Sequence, residues 1–245
     1  MYTPYDFNQS IANRAEYVEE RLRSGMPLVA ISYDQGVLLL TLKKTQRKVF
    51  EVYDQLMYCA LGNQADVEAV RLAAIDFCHQ EGFNRSPDDV SIQRLVGFVL
   101  SPPLKRAFGD PMSTPNVLRA IFAEIGQAPE NDQFFVLNYD GEFSTHGGFA
   151  VAGGTEGAED AMTELLKGFS STPTLQDAIA RAKDAIRAGL AYRKGGDEDD
   201  DDGRFGDEGD PLAKALENAT FEAGILERDT PRESKFRLLG ASDVN

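Results

Sequence analysis

The sequence predicts an α+β fold, a four-layer αββα sandwich in which two antiparallel sheets lie between pairs of helices. The first observation is a series of short strand-like runs within residues 24–62, with a tight turn at Gly36. The second is that the runs 28–31 and 37–40 are apolar at every position, which is typical of strands covered on both faces. The third is that strands and helices come in blocks rather than in strict alternation, which disfavours a single parallel sheet.

The composition is that of an ordinary globular domain. The chain has 245 residues, of which 42% are hydrophobic and 27% are charged, and this length provides ample material for a core. Its net charge of −15 disfavours nucleic acid as a partner, because phosphates would be repelled. Nine acidic residues and one arginine between Gly195 and Asp210 account for about half of that charge, and we expect residues 195–210 to form a disordered acidic loop.

The apolar and cysteine patterns indicate where the protein resides. No apolar run approaches the roughly 20 residues that cross a bilayer. The first 25 residues are polar and charged, so the sequence shows no secretory signal, and we expect a cytoplasmic protein without a membrane partner. Cys59 and Cys78 fall within apolar-patterned elements and are predicted to be buried free thiols in a reducing compartment.

The chain opens with a predicted helix. Asn8 or Ser10 can cap a helix that runs from about Ile11 to Arg23, within residues 10–24. A narrow apolar stripe on a terminal helix suits either packing on its own domain or docking against a neighbouring subunit. The stripe consists of Ile11, Ala15, Val18 and Leu22.

The remaining elements are predicted from changes in the apolar period. Continuous or alternating apolar runs indicate strands, whereas a spacing of three and four residues indicates helices. Gly82 is expected to end the helix that follows Gly62, and Pro102-Pro103 is expected to break or kink the next one. In order, the predicted elements are strands 28–33 and 37–42, a strand after the basic run 43–48, strand 56–61, helix 63–80, a helix starting at residues 86–89, strands 117–125, 134–139 and 143–151, helices 156–169 and 175–190, and strands 219–226 and 235–239.

Three stretches carry signals that other functions would use, and each signal is incomplete. Gly153-Gly154-Thr155 precedes a helix but lacks the Gly-Lys-Ser/Thr ending of a phosphate-binding loop. His79 and His146 have neither metal-ligand spacing nor a nucleophile-elbow context, which disfavours a serine or cysteine hydrolase. The acids at 197–202 lack the central glycine and final glutamate of a calcium loop. The sequence therefore predicts no cofactor and no metal site.

Several short stretches follow one another along nearly the whole chain in an order shared with a known family. They are Val29-Ala30-Ile31-Ser32-Tyr33, Gly36-Val37-Leu38, Lys48-Val49, Tyr53-Asp54, Ala60-Leu61-Gly62, Tyr139-Asp140-Gly141, Gly153-Gly154-Thr155 and Phe236-Arg237-Leu238-Leu239-Gly240. With the leading helix, they resemble the 20S proteasome family, and within it the α-type subunits of bacterial proteasomes. The resemblance implies one domain over residues 1–245, with the N-terminal-nucleophile hydrolase fold and an extra N-terminal helix.

The residues at the family's catalytic position indicate the α type. In active members the nucleophile is a threonine that becomes the first residue after processing, and its free amine is the base. Met26 falls at that place, and Thr41-Leu42 replaces the expected acidic partner, although Lys48 matches a lysine common to both types. The resemblance thus implies a non-catalytic subunit of a threonine-type endopeptidase complex. The alternatives are an active peptidase, which would need cleavage before Ser24, and a standalone binding module of the same fold.

The resemblance also implies a docking pocket. In α-type subunits, a lysine and a glycine fourteen residues further on line a pocket between neighbours that receives the C-terminal carboxylate of an activating ATPase. Lys48 and Gly62 have that spacing, and an ammonium group suits a carboxylate. The implied partners are β-type subunits, other α subunits in a heptameric ring, and a ring-shaped AAA ATPase.

The segment before the first helix is implied to gate the axial pore. Residues 1–9 would form this mobile gate segment in the present chain. Tyr5-Asp6 is similar to the Tyr-Asp-Arg of archaeal α subunits, but Phe7 replaces the arginine, so the same gate contacts are not implied. The candidate gate residues are Tyr2, Thr3, Pro4, Tyr5, Asp6 and Phe7.

Overall fold

The computed structural model describes residues 4–168, 172–192 and 209–244. Within these ranges, the chain forms two five-stranded antiparallel sheets stacked face to face, with helices on both outer faces. The predicted α+β sandwich is therefore confirmed. Among the described residues, no helix combines the length and the apolar character that crossing a membrane requires.

The helices and strands are numbered in chain order. They are α1 (Pro4–Leu22), β1 (Leu28–Tyr33), β2 (Gly36–Lys43), β3 (Val49–Tyr53), β4 (Leu56–Gly62), α2 (Gln64–Asn84), α3 (Ile92–Arg94), α4 (Ser101–Gly109), β5 (Leu118–Glu124), β6 (Gln133–Asn138), β7 (Phe143–His146), β8 (Phe149–Ala152), α5 (Glu156–Leu166), α6 (Leu175–Ala191), α7 (Pro211–Leu216), β9 (Thr220–Glu227), β10 (Phe236–Leu238) and α8 (Ala241–Val244). A π-helical segment, Leu95–Leu100, joins α3 to α4.

The two sheets account for the strands that are apolar at every position. The first sheet has the order β10-β9-β2-β1-β8, and the second has the order β3-β4-β5-β6-β7. β1 and β2 lie at the centre of the first sheet, where α5 and α6 cover one face and the second sheet covers the other. α2, α3 and α4 cover the outer face of the second sheet. Both faces of β1 and β2 are therefore dry, which is why their sequences do not alternate.

α1 lies across the end of the sandwich at which β1 begins and β4 ends. Val18 and Leu22 are fully buried in the core between the two sheets, so the apolar stripe packs on its own domain. Arg14 donates hydrogen bonds of 2.7 to 2.9 Å to the main-chain carbonyls of residues 107, 108 and 113. Glu19 accepts a hydrogen bond of 2.9 Å from the Tyr139 hydroxyl. These contacts anchor the helix at several points along its length.

α1 begins at Pro4, earlier than the predicted start at Ile11, so the predicted boundary of residues 10–24 is wrong at its start. Proline is favourable in the first turn of a helix because the N–H it lacks would have no partner there. The capping prediction at Asn8 or Ser10 fails because both residues lie inside the helix. The sequence has suitable capping residues there, but contacts further along α1 hold the helical register.

Gly82 does not end α2, which continues to Asn84. A β-carbon at Gly82 would lie 2.8 Å from the Cζ atom of Tyr53. The glycine therefore allows the helix to approach the Tyr53 ring on β3, and its role is close packing rather than termination. A glycine can end a helix or permit close packing inside one, and only the tertiary contact distinguishes the two roles.

Pro102 and Pro103 do not break the helix as predicted, since the chain stays helical from α3 through α4. The prolines occupy the start of α4, directly after the π-helical segment. There the N–H of Ser101 donates to the carbonyl of Val96, five residues back, in place of the usual four. Proline removes the N–H of its own residue and clashes with the preceding turn. The wider π-helical turn accommodates both the missing N–H groups and the proline rings, so the helix changes its hydrogen-bond period at the prolines and continues.

A buried ion pair joins the sheets at the end of the sandwich opposite α1. Asp132 lies in the connection between β5 and β6, and its side chain is fully buried. Its oxygens accept hydrogen bonds from the Arg228 guanidinium at 2.9 and 3.0 Å, from the Gly126 N–H at 2.8 Å, and from the Ser32 hydroxyl. Arg228 follows β9 of the first sheet, so one carboxylate connects elements of both sheets.

Most of the predicted acidic loop, residues 195–210, lies outside the described residues. Asp210, at its end, is described and has a structural role. Its side chain accepts a hydrogen bond of 3.0 Å from the N–H of Leu212 and caps α7, and it also lies 3.2 Å from the Arg187 guanidinium.

Candidate functional site

Lys48 and Gly62 lie at the same end of the sandwich, as the predicted pocket requires. Val49 pairs with Cys59 in the antiparallel β3–β4 ladder, so Lys48, just before β3, lies at the end where β4 finishes with Gly62. Lys48 is half-buried, whereas Gly62 is exposed. This is the end across which α1 lies, and it includes the start of β1.

Gly62 has a structural reason to be glycine that is independent of docking. Its φ of +130° lies in a region that residues with a side chain rarely adopt. A β-carbon there would overlap the carbonyl oxygen of Val117 and lie 2.7 Å from the Cα atom of Leu118. The next residue, Asn63, donates its N–H to the same carbonyl at 2.7 Å and caps α2 with its side chain. The backbone of Gly62 thus sets the position of the α2 N-terminus beside the predicted pocket.

We predict that Gly62→Ala lowers the free energy of unfolding by at least about 2 kcal/mol, because it combines an unfavourable φ with a backbone overlap. Chemical denaturation of the isolated chain at fixed protein concentration measures the change. Gly147→Ala is the matched control, since Gly147 has no positive φ and a β-carbon there would have no atom within 4 Å. Equal midpoints for the two variants would contradict the backbone explanation for Gly62.

A buried glutamate, Glu222 on β9, holds the main chain of Lys48. Its Oε2 accepts a hydrogen bond of 2.7 Å from the Lys48 N–H, and its Oε1 lies 3.5 Å from the Lys43 ammonium. The Glu222 side chain is only 4% exposed. Two lysines therefore flank one buried carboxylate at this end of the molecule, and we call Lys43, Lys48 and Glu222 the lysine–glutamate cluster.

The sequence predicts Lys48 at this place but neither Glu222 nor Lys43. Glu222 is 174 residues from Lys48, so no local pattern links the two. One signal could have found it. Glu222 is a charged residue inside a predicted strand, and it shares a face of that strand with the core residues Gly224 and Leu226. A charged side chain on a core-facing position is costly unless it is paired, so its presence predicts a partner.

Cys59 lies near the cluster but is unreactive. Burial raises the pKa of its thiol to about 12, with Lys48 acting to lower it and Glu222 to raise it. Burial also raises the pKa of the Cys78 thiol to about 12. Both cysteines are free and buried, as predicted. The thiolate is the nucleophile, so thiols that stay protonated at neutral pH do not support a cysteine hydrolase.

The start of β1, where the resemblance implies a nucleophile in active members, is filled by apolar contacts. Met26 is 5% exposed and packs in the core between the first sheet and its helices. The Thr41 hydroxyl is fully buried and donates a hydrogen bond of 2.9 Å to the carbonyl of Pro27. Neither side chain is available for attack on a substrate, because one lacks a hydroxyl and the other has its hydroxyl engaged.

The candidate gate residues fall into two groups. Tyr2 and Thr3 lie outside the described residues. Pro4, Tyr5, Asp6 and Phe7 form the first turn of α1, and the Phe7 side chain is exposed. This turn is continuous with a helix that is anchored further along by Arg14 and Glu19.

The competing signals of the sequence have structural explanations in the described residues. Thr155 caps α5 by accepting a hydrogen bond of 3.2 Å from the Ala158 N–H, so the two glycines before it form a strand-to-helix turn. His79 packs edge-on against Tyr53, and His146 lies 2.8 Å from the Ser144 hydroxyl on the exposed strand β7. Within the part of the chain that the structure describes, no group of three or more potential ligands could hold a metal ion.

The sequence matches a known family over most of the chain. A family model described as proteasome subunit matches residues 22–199. The chain therefore belongs to the proteasome subunit family.

Proteins named proteasome subunit alpha are similar to it over nearly its whole length. The one from Actinosynnema mirum is 30% identical over 236 residues, which cover 96% of this chain and 82% of that protein. The one from Streptomyces coelicolor is 28% identical over 244 residues, 98% of this chain and 87% of that protein, and the one from Streptomyces griseus is 27% identical over 244 residues, 98% and 82%. The resemblance to bacterial proteasome α subunits is confirmed, and the chain is of the α type.

Proposed function

We propose that this α-type subunit is non-catalytic, that it forms the heptameric outer ring of a cytoplasmic 20S core particle, and that it docks a ring-shaped AAA ATPase. The ring would control substrate access to β-type subunits that carry out the proteolysis. The observation that carries the proposal is the combination at one end of the sandwich: the catalytic position is filled by Met26, while the lysine–glutamate cluster remains beside it.

The buried stripe of α1 supports the absence of catalysis. A peptidase that used Ser24 would need cleavage before that residue, which would separate α1 from the rest of the chain. Val18 and Leu22 are part of the core between the sheets, so this loss would expose the apolar residues they cover. Removal of a buried leucine alone costs about 2–5 kcal/mol. The helix is thus built as a permanent part of the domain rather than as a removable segment.

The charge of the lysine–glutamate cluster supports a docking function. The charges of two ammonium groups and one carboxylate sum to one positive charge, which would attract a C-terminal carboxylate. The N-terminus of α2 adds a favourable field, since the helix begins at Gln64, two residues after Gly62, and the N-terminal end of a helix carries a partial positive charge. This end of the molecule therefore favours binding of an anionic chain end.

The position of α1 supports a role of residues 2–7 in gating. α1 is tied to its own domain by Arg14, Val18 and Glu19, so the residues at its beginning start from a fixed point. Seven such helices in a ring would present their first turns around a common axis. The gate residues Tyr2 to Phe7 would then control the pore that the ring encloses.

We predict that the purified chain alone hydrolyses no peptide, and that peptidase activity appears when it is co-expressed with its β-type partner. Native mass spectrometry and a fluorogenic peptide assay measure assembly and activity. Intact mass spectrometry is the accompanying control, because a chain that keeps Met1 or begins at Tyr2 has no new N-terminal nucleophile. Hydrolysis by the chain alone, with a mass that begins at Ser24, would overturn the proposal in favour of an active peptidase. A chain that stays monomeric in the presence of the β partner would favour a standalone binding module.

A further inference from the structure

We infer that Glu222 is the positioning residue of the docking pocket, and that its buried charge sets how strongly the pocket attracts an anionic chain end. This inference rests on the proposed docking function of Lys48. Glu222, on the last long strand, would thereby act in a site whose predicted residues lie near the beginning of the chain.

Glu222 connects the two sheets at the pocket. It lies on β9 of the first sheet, opposite Thr41 of β2. Lys48, whose N–H it binds at 2.7 Å, directly precedes β3 of the second sheet. A hydrogen bond to a charged acceptor is roughly twice as strong as a neutral one. The carboxylate therefore fixes the main chain from which the Lys48 side chain extends.

The same carboxylate holds the other end of the β2–β3 connection. Lys43 is the last residue of β2, and its ammonium lies 3.5 Å from Glu222 Oε1. Between the two anchored ends, residues 44–47 are exposed. One buried side chain thus contacts the residue at each end of an otherwise exposed connection, and this arrangement limits where Lys48 can point.

Glu222 also sets the charge of the pocket. With its carboxylate ionised, the cluster carries one net positive charge, and without it the cluster would carry two. Cys59 adds no charge, because its pKa of about 12 keeps the thiol protonated. An anionic ligand is therefore attracted by the lysines and repelled by Glu222. A variant that keeps the hydrogen bond but removes the charge separates the positioning effect from the electrostatic one.

The experiment measures binding of a synthetic peptide that carries the C-terminal residues of the ATPase, with a free carboxylate or as the amide, to the assembled core particle. Glu222→Ala loses the acceptor for the Lys48 N–H, so we expect binding of the free carboxylate to weaken about tenfold, as loss of such a bond implies. Glu222→Gln keeps an oxygen acceptor and removes the charge. We expect it to bind no more weakly than the wild type at low salt, with a steeper loss of affinity as salt increases.

Glu124→Ala is the matched control. Glu124 is also a strand carboxylate that holds a main-chain N–H, that of Ile92 at 2.8 Å, but it is half-buried and lies at the opposite end of the sandwich. We expect this variant to bind the peptide like the wild type. If Glu222→Ala also binds like the wild type while Lys48→Ala binds poorly, the positioning role of Glu222 is wrong, but docking at Lys48 is supported. If Lys48→Ala itself binds normally, docking at this site is wrong and the inference falls with it.

The glutamine variant keeps the inference testable should Glu222→Ala fail to assemble. The positioning and charge roles together predict that Glu222→Gln retains binding and changes its salt dependence. A purely structural role for Glu222 would leave the salt dependence of the assembled variant unchanged, and that result would overturn the inference.

Discussion

Lys48→Ala in the assembled core particle weakens ATPase-dependent protein degradation about tenfold or more, the effect expected when a hydrogen bond between two charged groups is lost. Assembly and hydrolysis of small peptides stay unchanged, because Lys48 is a half-buried residue at the end of the β2–β3 connection and is not a nucleophile. The measurement compares degradation of a folded protein, with the ATPase and ATP present, with hydrolysis of a small fluorogenic peptide by the same particles.

Lys44→Ala is the control for this prediction. Lys44 belongs to the same basic connection and carries the same charge, but it is exposed and is not one of the residues that contact Glu222. We expect its replacement to leave ATPase stimulation close to that of the wild type. If the two variants behave alike, the general positive charge of the connection would explain docking, and the specific assignment to Lys48 would be wrong. If neither variant changes stimulation, Lys48 does not belong to the docking site.

Asp132→Ala lowers the free energy of unfolding by about 3–5 kcal/mol, because it leaves the Arg228 guanidinium buried without its carboxylate. The change also removes the Asp132 carboxylate as acceptor for the Gly126 N–H and the Ser32 hydroxyl, so the links that this side chain makes between the sheets are lost. Chemical denaturation of the isolated chain measures the effect. Protein concentration must be held constant, since assembly would shift the apparent stability by mass action.

Two further variants isolate the ion pair. Asp229→Ala removes an exposed aspartate next to Arg228 and should change the stability by less than about 0.5 kcal/mol, as surface substitutions usually do. Adding Arg228→Met to Asp132→Ala removes the stranded charge and should recover part of the lost stability. Equal destabilisation by Asp132→Ala and Asp229→Ala would contradict a role of the buried pair.

Most strands were predictable because their signal is local, but the predicted strand 143–151 is wrong, since it forms β7 and β8 in different sheets. β1 has the predicted bounds of residues 28–33, since a continuous apolar run between polar turns specifies a strand buried on both faces. The errors lie where a residue has two possible roles. Gly82 permits contact with Tyr53 instead of ending α2, and the proline pair at 102–103 is accommodated by a wider helical turn. Local propensity cannot distinguish these roles, because the deciding atoms belong to distant residues or to the hydrogen-bond period.

The candidate site was only half predictable for the same reason. Lys48 directly precedes β3 and Gly62 ends β4, fourteen residues further on, so a hairpin is enough to bring them to one end of a sheet. Glu222 comes to the site through the pairing of β9 with β2, a contact between the two ends of the chain. The backbone requirement at Gly62 was also invisible in the sequence, because it depends on the position of the Val117 carbonyl on another strand.

The sequence by itself determined that this protein is a layered α+β domain of the proteasome family and that Met26 stands where the resemblance implies a nucleophile in active members. These features depend on residue identity and on short-range periodicity, which can be read directly from the sequence. Only the tertiary structure decided that α1 is locked into the core between the sheets, that Thr41 is engaged with Pro27, and that Glu222 supports Lys48. Those features depend on which distant strands pair and in what register, and burial and charge take effect only after that pairing is formed.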